Sequence, residues 1–308
     1  MISIIIPAHN EEANIGQTVA DLKKVLDGVK SNGYEIVVVD DHSSDGTFRV
    51  VQSLKVGNVH SVRLSRQCGS HTAIRAGLSQ AKGDCVLVMA ADGQDDTKVL
   101  PEMLAKWDEG KKIIWALRRS RAGEAWYIRK PAILFYKALS WLGGTKYTNI
   151  DFSRADFFLL DKKVVDAINT CHEKNTSLFG LIAWLGFSSD FVEYNRKERV
   201  KGKTKWSLKN RVHLAKDWIV AFSGLPLKLM AILGVFIALL GFLYGFYIFI
   251  NAIIGSPSPG WSSIMVAIFV LCGTQMIMLG ILGEYLWRNL DESRKRPLYF
   301  IEDTTEET

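Results

Sequence analysis

The sequence of residues 229–283 is LMAILGVFIALLGFLYGFYIFINAIIGSPSPGWSSIMVAIFVLCGTQMIMLGILG, a run of 55 residues without Asp, Glu, Lys, Arg or His. Within it, two apolar segments, 229–250 and 264–282, are each long enough to cross about 30 Å of hydrocarbon as a helix. The segment between them, 251–262, is rich in turn-forming residues and contains no Lys or Arg. This pattern predicts a hairpin of two transmembrane helices near the carboxyl end of the chain.

Positive charge is concentrated on both sides of this hairpin. The chain has 308 residues and a net charge of +6, and ten Lys and Arg residues lie between 196 and 228. Four more basic residues follow the second apolar segment: Arg288, Arg294, Lys295 and Arg296. The positive-inside rule therefore predicts a multi-pass protein of the cytoplasmic (inner) membrane, with both termini and the residues before the hairpin, here called the head, in the cytoplasm. The clustered charge favours anionic lipid as its partner, and no nucleic-acid partner is expected because the sequence contains no nucleic-acid-binding module.

The first 120 residues alternate short apolar runs with helical patterns. Predicted strands cover residues 2–6, 35–39, 60–64, 85–89 and 112–116, and predicted helices cover 14–30, 47–54, 72–81 and 98–109. Such alternation is typical of an α/β domain with a mainly parallel sheet and helices on both faces. These sheets bind ligands at the carboxyl ends of their strands, where the strand order reverses.

Acidic loops follow three of the predicted strands. They are PAHNEE at 7–12, DDHSSDGT at 40–47 and ADGQDD at 91–96. Taken singly, each would be explained by turn and helix-cap residues. Together at one sheet edge they repel each other, and cations, hydrogen-bond donors or a metal must offset this repulsion. A nucleotide supplies donors and its diphosphate requires a divalent cation, so the loops predict a metal–nucleotide diphosphate site.

Several motifs along nearly the whole chain resemble those of glycosyltransferase family 2. The resemblance is strongest to its polyprenyl-phosphate glycosyltransferases, such as bactoprenol glucosyltransferases and dolichol-phosphate mannose synthases. The motifs are PxxNEE at 7–12, VDDxSxDxT at 39–47, LSR at 64–66, DxQD at 92–95, ADF at 155–157, RxxGxTK at 199–205, GEYL at 283–286 and RPxY at 296–299. The resemblance implies a nucleotide-diphospho-sugar head of the GT-A, Rossmann-like type, followed by the transmembrane hairpin.

The resemblance also implies a division of the chain. Residues 1–205 would form the cytoplasmic glycosyltransferase domain, and 206–224 an amphipathic helix at the membrane surface. Residues 225–287 would contain the two transmembrane helices, and 288–308 a cytoplasmic tail. A second amphipathic segment, 126–142, is aromatic and basic and is also expected at the headgroup region, with packing on the head as the alternative. The polar, acidic end, 301–308, is expected to be disordered.

The family pattern assigns roles to individual residues. The nucleotide-binding positions are Pro7, Asn10, Glu11, Asp40 and Asp92. Asp92 and Gln94 correspond to metal positions, for Mg²⁺ or Mn²⁺, and Asp92 and Asp156 to catalytic positions. The phosphate- and acceptor-binding positions are Arg118, Arg129, Arg199 and Lys205. For Arg118, Arg129 and Arg199, contact with lipid headgroups is the alternative.

The resemblance implies an inverting, membrane-bound hexosyltransferase that works on the cytoplasmic face. It would move a sugar from a nucleotide sugar, with UDP-glucose as the best candidate, to a polyprenyl phosphate such as undecaprenyl phosphate. The product would be a lipid-phosphate sugar for modification of cell-envelope glycans, including lipopolysaccharide. A homo-oligomer is expected, with a tetramer as one option. The alternatives are a processive polysaccharide synthase, which would need a Gln-x-x-Arg-Trp motif and more spans, and a non-catalytic nucleotide-binding relative.

The sequence departs from the family pattern at four positions. Ala90 stands where the family has the first carboxylate of its metal motif, which predicts weaker metal binding with waters and phosphates completing the coordination. Phe158 replaces a common Arg, and Thr204 and Trp206 replace a common Ser and Tyr. These departures leave the identity of the donor and the degree of metal dependence open.

Overall fold

A computed structural model describes residues 1–28, 33–54, 58–119, 155–174, 176–195, 225–254 and 260–305. The chain divides into two compact units, one of 1–211 with 297–308 and the other of 212–296. The amphipathic segments at 126–142 and 206–224 lie outside the described residues, so their predicted membrane contact stays a prediction.

An eight-stranded mixed sheet forms the centre of the first unit. Its strands are β1 (Ile2–Ala8), β2 (Tyr34–Asp40), β3 (Val59–Leu64), β4 (Cys85–Val88), β5 (Ile113–Arg118), β6 (Ala155–Asp161), β7 (Ser189–Tyr194) and β8 (Ile301–Thr304). Their order across the sheet is β7-β5-β6-β4-β1-β2-β3-β8. Strands β1 to β4 run parallel to one another, and β5 is parallel to β7, whereas β6 and β8 run antiparallel to their neighbours. The predicted α/β class with a mainly parallel sheet is confirmed.

Among the described residues of this unit, six α-helices and one 3-10 turn follow or connect the strands. They are α1 (Glu12–Leu26), α2 (Thr47–Ser53), α3 (Ser70–Gln80), a 3-10 turn (Thr97–Val99), α4 (Leu100–Asp108), α5 (Lys162–Thr170) and α6 (Leu178–Trp184). The five predicted strands and four predicted helices of the first 120 residues are all present, with ends that differ by a few residues.

Strand β1 shows how the sheet is covered on both faces. Ile4 and Ile6 are fully buried in the same cluster as Ile15 and Val19 of α1, because alternate residues of a strand point to one face. Ile5 points to the other face, where α3 packs; a Cβ at Gly77 of α3 would overlap its side chain. Burial on both faces explains why β1 is almost entirely apolar, with the buried Ser3 as its one polar side chain.

The strand order reverses beside β1. The chain proceeds from β1 to β2 and β3 on one side and then crosses to β4 on the other side of β1. In open α/β sheets a reversal of this kind leaves a crevice outside the carboxyl ends of the two strands. The loops after β1 and β4 therefore border the expected ligand crevice.

The second unit contains two long helices, α7 (Leu225–Ile254) and α8 (Trp261–Ser293). Both are long and apolar enough to cross a membrane, and their apolar side chains are largely exposed, as at Val235 and Phe242, each 71% accessible. The predicted pair of apolar helices is confirmed, but both helices extend past the predicted limits of 229–250 and 264–282. The extension of α8 carries an ion pair between Glu284 and Arg288, one helical turn apart at 3.2 Å.

One prediction about the carboxyl end is wrong. The acidic residues 301–308 were expected to be disordered, yet Ile301–Thr304 forms β8, which pairs with β3 at the edge of the sheet. The polar composition misled the prediction because an edge strand needs only backbone hydrogen bonds and can keep exposed, charged side chains.

Candidate active site

The loops after β1 and β2 are joined by hydrogen bonds between side chains and backbone. Asn10, which has a positive φ of 54°, donates its N–H to the Ser43 hydroxyl at 2.9 Å. Its side-chain carbonyl accepts the N–H of Ser44 at 2.8 Å. Next in the chain, the N–H of Glu11 donates to the Thr47 hydroxyl at 2.9 Å. Asn10 and Glu11, both predicted to bind nucleotide, are thus fixed against the loop that follows Asp40.

A second pair of contacts continues this junction. The N–H of Glu12 donates to the Asp45 carboxylate at 3.3 Å, and the N–H of Gly46 donates to the Glu12 carboxylate at 2.9 Å. A Cβ at Gly46 would overlap that carboxylate, so a larger residue there would displace the Glu12 side chain. Although partial burial opposes it, hydrogen bonds from Thr47 and from the Glu12 N–H lower the pKa of Asp45.

His9 adds a third connection at the end of β1. Its Nδ1 lies 2.9 Å from the Asp41 carbonyl oxygen. Because a carbonyl can only accept, Nδ1 carries the proton, and in the neutral ring Nε2 accepts. The side-chain amide of Gln67 is 3.2 Å from Nε2 and completes the contact. His9 therefore holds the β1, β2 and β3 loops together at the crevice.

The two aspartates at the end of β2 are buried and have different partners. Asp41 accepts the N–H groups of Cys68 at 2.6 Å and Gly69 at 2.8 Å, which fixes the start of α3. Burial raises its pKa, although these two hydrogen bonds oppose the shift. Asp40 accepts the Ser43 N–H at 3.2 Å, and its Oδ2 lies 3.4 Å from a guanidinium nitrogen of Arg63 without an aligned hydrogen bond. Asp40 thus has its predicted place at the β2 terminus.

The loop after β4 contains the predicted metal residues. Asp92 and Gln94 are both half-buried, and the Gln94 N–H donates to the Asp92 carboxylate at 3.2 Å. The loop is attached to α1 by the Thr18 hydroxyl, which donates to the Ala91 carbonyl at 3.0 Å. Because Thr18 is buried, this bond holds the loop against α1. Asp92 and Gln94 therefore lie in the loop after β4, beside the carboxyl end of β1, where the reversal of strand order predicts a crevice.

Asp95 faces the interior of this loop. Its carboxylate accepts the N–H of Ala90 at 2.8 Å and lies 3.4 Å from the Tyr194 hydroxyl, and only 3% of the residue is exposed. Asp96 instead caps the following 3-10 turn by accepting the Lys98 N–H at 3.3 Å. Both carboxylates therefore bind backbone groups of their own loop. Through these contacts, neither takes the place of the carboxylate that the family has at position 90.

Strand direction brings Asp156 and Arg118 to the same edge of the sheet. Asp156 is the second residue of β6, which runs antiparallel to β4, so its backbone lies beyond the carboxyl end of β4. Arg118 ends β5, which is also antiparallel to β6. Pro7, near the end of β1, is aligned with Val39 of β2. Arg129, Arg199 and Lys205 lie outside the described residues.

The residues present fit a hard divalent cation with few protein ligands. Among the described residues, no group of three or more His, Cys, Asp or Glu side chains could hold a metal ion. One carboxylate, Asp92, and one amide oxygen, Gln94, remain at the crevice. Mg²⁺ is commonly bound by one or two carboxylates together with substrate phosphates and waters. The donor set therefore suits a cation that arrives with a diphosphate better than a permanently bound one.

Several residues that organise this site were given no role in the sequence analysis. Thr18 and Arg63 act through contacts that no local pattern specifies, and Asp41 and Thr47 are fixed positions of the VDDxSxDxT motif whose partners the motif does not reveal. Thr47 had one usable signal, because it follows Asp45-Gly46 at the start of a predicted helix, where hydroxyl side chains bond to backbone groups.

Comparison with known proteins gives two matches to family models. Residues 3–172 match the model described as Glycosyl transferase family 2, and residues 225–288 match the GtrB C-terminal hairpin. The first match covers the sheet from β1 to β6, and the second covers the two long helices. Together they place the acidic crevice and the apolar hairpin in recognised families.

Full-length relatives share both parts. A protein of Synechocystis sp. named uncharacterized glycosyltransferase sll0501 is 40% identical over 98% of this chain and 95% of its own. The bactoprenol glucosyl transferase of Shigella phage SfV is 35% identical over 98% of both chains. Among solved structures, mannosyl-3-phosphoglycerate synthase from Rubrobacter xylanophilus is similar with a TM-score of 0.53 and 19% identity over 71% of each chain. At that identity, the structural likeness shows the fold alone.

Proposed function

The chain belongs to glycosyltransferase family 2, and from this premise we propose that it transfers a sugar from a nucleotide-diphospho-sugar to a polyprenyl phosphate at the cytoplasmic face of a membrane. UDP-glucose is the proposed donor and undecaprenyl phosphate the proposed acceptor. The observation that carries the proposal is the presence, in one chain, of acidic loops after β1, β2 and β4 at the reversal of strand order and of two apolar helices long enough to cross a membrane. A relative of matching length and arrangement bears the name bactoprenol glucosyl transferase.

The donor nucleotide is proposed to occupy the crevice between the β1, β2 and β4 loops. Pro7, Asn10, Glu11 and Asp40 would line its nucleoside side. The junction of the β1 and β2 loops supports this role, because three hydrogen bonds between the loops already order it before a ligand arrives. Binding then costs little loop ordering, and the affinity for the nucleotide is correspondingly higher.

Asp92 and Gln94 would hold a divalent cation, Mg²⁺ or Mn²⁺, against the donor diphosphate. When bound, such a cation neutralises phosphate charge and stabilises the charge that develops as the diphosphate leaves. With Ala90 in place of a second carboxylate, the cation would depend on the donor phosphates for part of its affinity. Metal and donor should consequently bind together rather than independently.

The acceptor requires little help from a general base. The second pKa of a phosphate monoester is about 6, so a polyprenyl phosphate is largely dianionic at pH 7 and already nucleophilic. The harder task is to bring two anionic phosphates together, and cationic side chains such as Arg118, Arg129, Arg199 and Lys205 would perform it. Asp156, at the sheet edge, would orient the acceptor or the sugar and steady positive charge at the anomeric carbon. Direct displacement would invert that carbon.

The decisive experiment uses the purified full-length chain with undecaprenyl phosphate and a panel of nucleotide sugars. Mass spectrometry would identify any lipid-phosphate sugar formed, with UDP-glucose expected as the preferred donor. Omitting the divalent cation, or adding EDTA, should abolish the product. Asp92→Ala serves as the inactive control. Absence of product with every donor would contradict the proposal, and binding of a nucleotide without turnover would favour the non-catalytic alternative prompted by Ala90.

The proposed topology places the hairpin tip, near Ser258, outside and the carboxyl terminus inside. It rests on the absence of basic residues at the tip and their abundance on the flanks. In a variant lacking the four native cysteines, Ser258→Cys should react with an impermeant thiol reagent in intact cells and Thr308→Cys should not. The reverse labelling would overturn the topology. The proposed division is 1–205 for the head, 206–224, 225–287 and 288–308, with 297–308 belonging to the same compact unit as the head.

A further inference from the structure

The carboxyl-terminal strand β8 returns to the sheet beside the candidate nucleotide loop. It is attached to β3 by backbone bonds at both ends: the Ser65 N–H donates to the Phe300 carbonyl at 2.9 Å, and the Thr305 N–H donates to the Ser61 carbonyl at 3.0 Å. Just before the strand, the Tyr299 hydroxyl lies 2.7 Å from the Ser79 hydroxyl of α3. The end of the chain is therefore part of the head.

A register irregularity directs one side chain of β8 toward β3. Arg63 is paired with Asp303, whereas the next residue, Leu64, is paired with Ile301. Glu302 is thus an extra residue opposite this step, the arrangement of a β-bulge, which re-aims a side chain. The Glu302 carboxylate accepts a hydrogen bond from Nε of Arg63 at 3.0 Å, and His42 Nδ1 is 3.6 Å away.

Arg63 connects this strand to the loop after β2. Its Nη1 lies 3.4 Å from Oδ2 of Asp40, and its Nη2 donates to the Ser43 carbonyl at 3.3 Å. The guanidinium carbon also lies 5.3 Å from the ring centroid of Phe48 in α2, a cation–π distance. One side chain therefore touches the β2 terminus, the loop after it, the following helix and β8.

The buried carboxylate of Asp40 is compensated by the guanidinium of Arg63. The residue is 1% exposed, and its Oδ2 has no hydrogen-bond partner among the described residues. A buried carboxylate without a donor or counter-charge is costly, so the guanidinium at 3.4 Å is its main compensation there. Arg63 is 25% exposed and carries a flexible side chain, so an anchor on its outer side restricts the positions it can adopt.

We propose that Arg63 is a positioning residue for the nucleotide-binding loop and that Glu302 holds it in place, so that donor affinity depends on the carboxyl-terminal strand. This unit of Arg63, Asp40 and Glu302 is called the clasp. The inference rests on the proposed function in one respect, the assignment of the Asp40 loop to the nucleotide. Its structural part, the order of that loop, holds whatever the ligand is.

The chain provides a matched control within the same strand. Asp303 carries the same charge as Glu302, is exposed and lies one residue away. In the part of the chain that the structure describes, its carboxylate makes no hydrogen bond or ion pair. Glu302→Gln and Asp303→Asn therefore remove one negative charge each from β8, and only the former removes a clasp contact. Because Glu302 is half-exposed, its replacement should leave the head folded.

The first measurement is hydrogen–deuterium exchange of full-length protein in detergent, read on peptides that cover residues 40–48. Exchange should be about fivefold faster in Glu302→Gln and in Arg63→Gln than in the wild type, and unchanged in Asp303→Asn. Thermal melting of the same samples establishes that the variants are folded. Equal exchange in wild type and Glu302→Gln would overturn the clasp, as would an equal effect of Asp303→Asn, which would indicate general charge loss.

The second measurement is donor binding and turnover, with UDP-glucose and undecaprenyl phosphate as probes. Glu302→Gln should raise the Kd and the KM for the donor about three- to tenfold and leave kcat at saturating donor within about twofold. A fall in kcat with unchanged KM would contradict a positioning role. If the wild type binds no nucleotide sugar, the proposed function fails and the exchange comparison still decides the clasp. If exchange changes but donor affinity does not, the loop is ordered by β8 without serving the donor, and the proposal is wrong.

Discussion

The acidic loops after β2 and β4 look alike in sequence but use their carboxylates differently. In the β2 loop, Asp40 and Asp41 are 1% and 3% exposed and are engaged by backbone N–H groups or by Arg63. In the β4 loop, Asp95 is turned inward in the same way, whereas Asp92 stays half-buried and accepts from the adjacent Gln94 N–H. The β2 loop is a framework of inward acids, and the β4 loop combines one framework acid with one acid at the crevice.

This difference shows how a cluster of carboxylates can be both stable and reactive. A carboxylate that accepts several N–H bonds, such as Asp41, is compensated within the protein and has little remaining capacity for a ligand, whereas Asp40 accepts one N–H bond and keeps its Oδ2 without a hydrogen bond among the described residues. An acid at the crevice, near donor phosphates, can instead share a cation with the ligand. We therefore expect replacement of the framework acids to affect stability or donor binding, and replacement of Asp92 to affect catalysis.

The largest expected effect is on turnover, from Asp92→Ala. If Asp92 is the main carboxylate on the cation, its loss should lower kcat about 1000-fold or more, because charge stabilisation in the transition state disappears. The rate of transfer of radiolabelled sugar to lipid phosphate measures this. Asp96→Asn, four residues away in the same loop, removes a charge that caps the 3-10 turn and should cost little activity. Wild-type rates in Asp92→Ala would remove the distinction between the two loops.

The next effect concerns stability and comes from Asp95→Ala. The change leaves the part-buried Ala90 N–H without its acceptor and takes a partner from the buried Tyr194 hydroxyl. The free energy of unfolding should fall by about 3 kcal/mol, since each unsatisfied buried group costs about 1–3 kcal/mol. Thermal melting in detergent would detect this as a lower Tm. Tyr194→Phe, which keeps the bond to Ala90, should cost about 1 kcal/mol, and an equal loss in both variants would contradict the inward role of Asp95.

Much of this arrangement was accessible from the sequence, for a physical reason. Strands β1 to β5 are short apolar runs bounded by turn formers, and their carboxyl ends must meet at one edge if the sheet is parallel. That reasoning located the loops of Asp40 and Asp92 correctly at the sheet edge. The apolar hairpin was equally predictable, because segment length and the absence of charge are properties of the chain itself.

The sequence could not predict which of these aspartates are buried and which lie at the expected crevice. Whether Asp95 or Asp92 faces the crevice depends on a partner 99 residues later in the chain, Tyr194, and on the loop path around Ala90. The pairing of β8 with β3 joins segments about 240 residues apart, as in the contact between Arg63 and Glu302. Local patterns carry no information about such partners, so an exposed acidic strand was mistaken for a disordered tail.

A moderate effect is expected at the junction of the β1 and β2 loops. Thr47→Val removes the hydroxyl that accepts the Glu11 N–H at 2.9 Å and keeps nearly the same volume. The same hydroxyl donates to the Asp45 carboxylate at 2.5 Å, so two part-buried hydrogen bonds of about 1 kcal/mol each are lost, and the donor KM should rise about fivefold or more with little change in kcat. Thr170→Val is the control, because that hydroxyl donates to the Ala167 carbonyl on an exposed turn of α5. An unchanged donor KM in Thr47→Val would show that this junction does not order the nucleotide site.

The smallest effect distinguishes two acids within the β2 loop by their pH dependence. Burial raises the pKa of Asp41, so the folded state holds its proton more tightly than the unfolded state does. Asp41 therefore makes the protein relatively more stable as the pH falls and less stable as the pH rises through its folded pKa. The contribution of Asp45 to stability depends on pH in the opposite direction. Its pKa is lowered by hydrogen bonds from Thr47 and Glu12 despite partial burial, so its contribution is present above the unfolded pKa near 3.8 and is lost as the pH falls through the folded pKa.

Melting curves from pH 3 to pH 7 for wild type, Asp41→Asn and Asp45→Asn would separate these contributions, because the difference in Tm between each variant and the wild type cancels the titration of other groups. On acidification, the stability advantage of the wild type over Asp45→Asn should shrink, since the charge that accepts three hydrogen bonds is neutralised. Over the same range, the stability of the wild type relative to Asp41→Asn should increase, since protonation relieves a buried charge. Parallel slopes for the two variants would mean that both acids are equally compensated, and the β2 loop would then be a uniform framework rather than one that holds a strained acid beside a relaxed one.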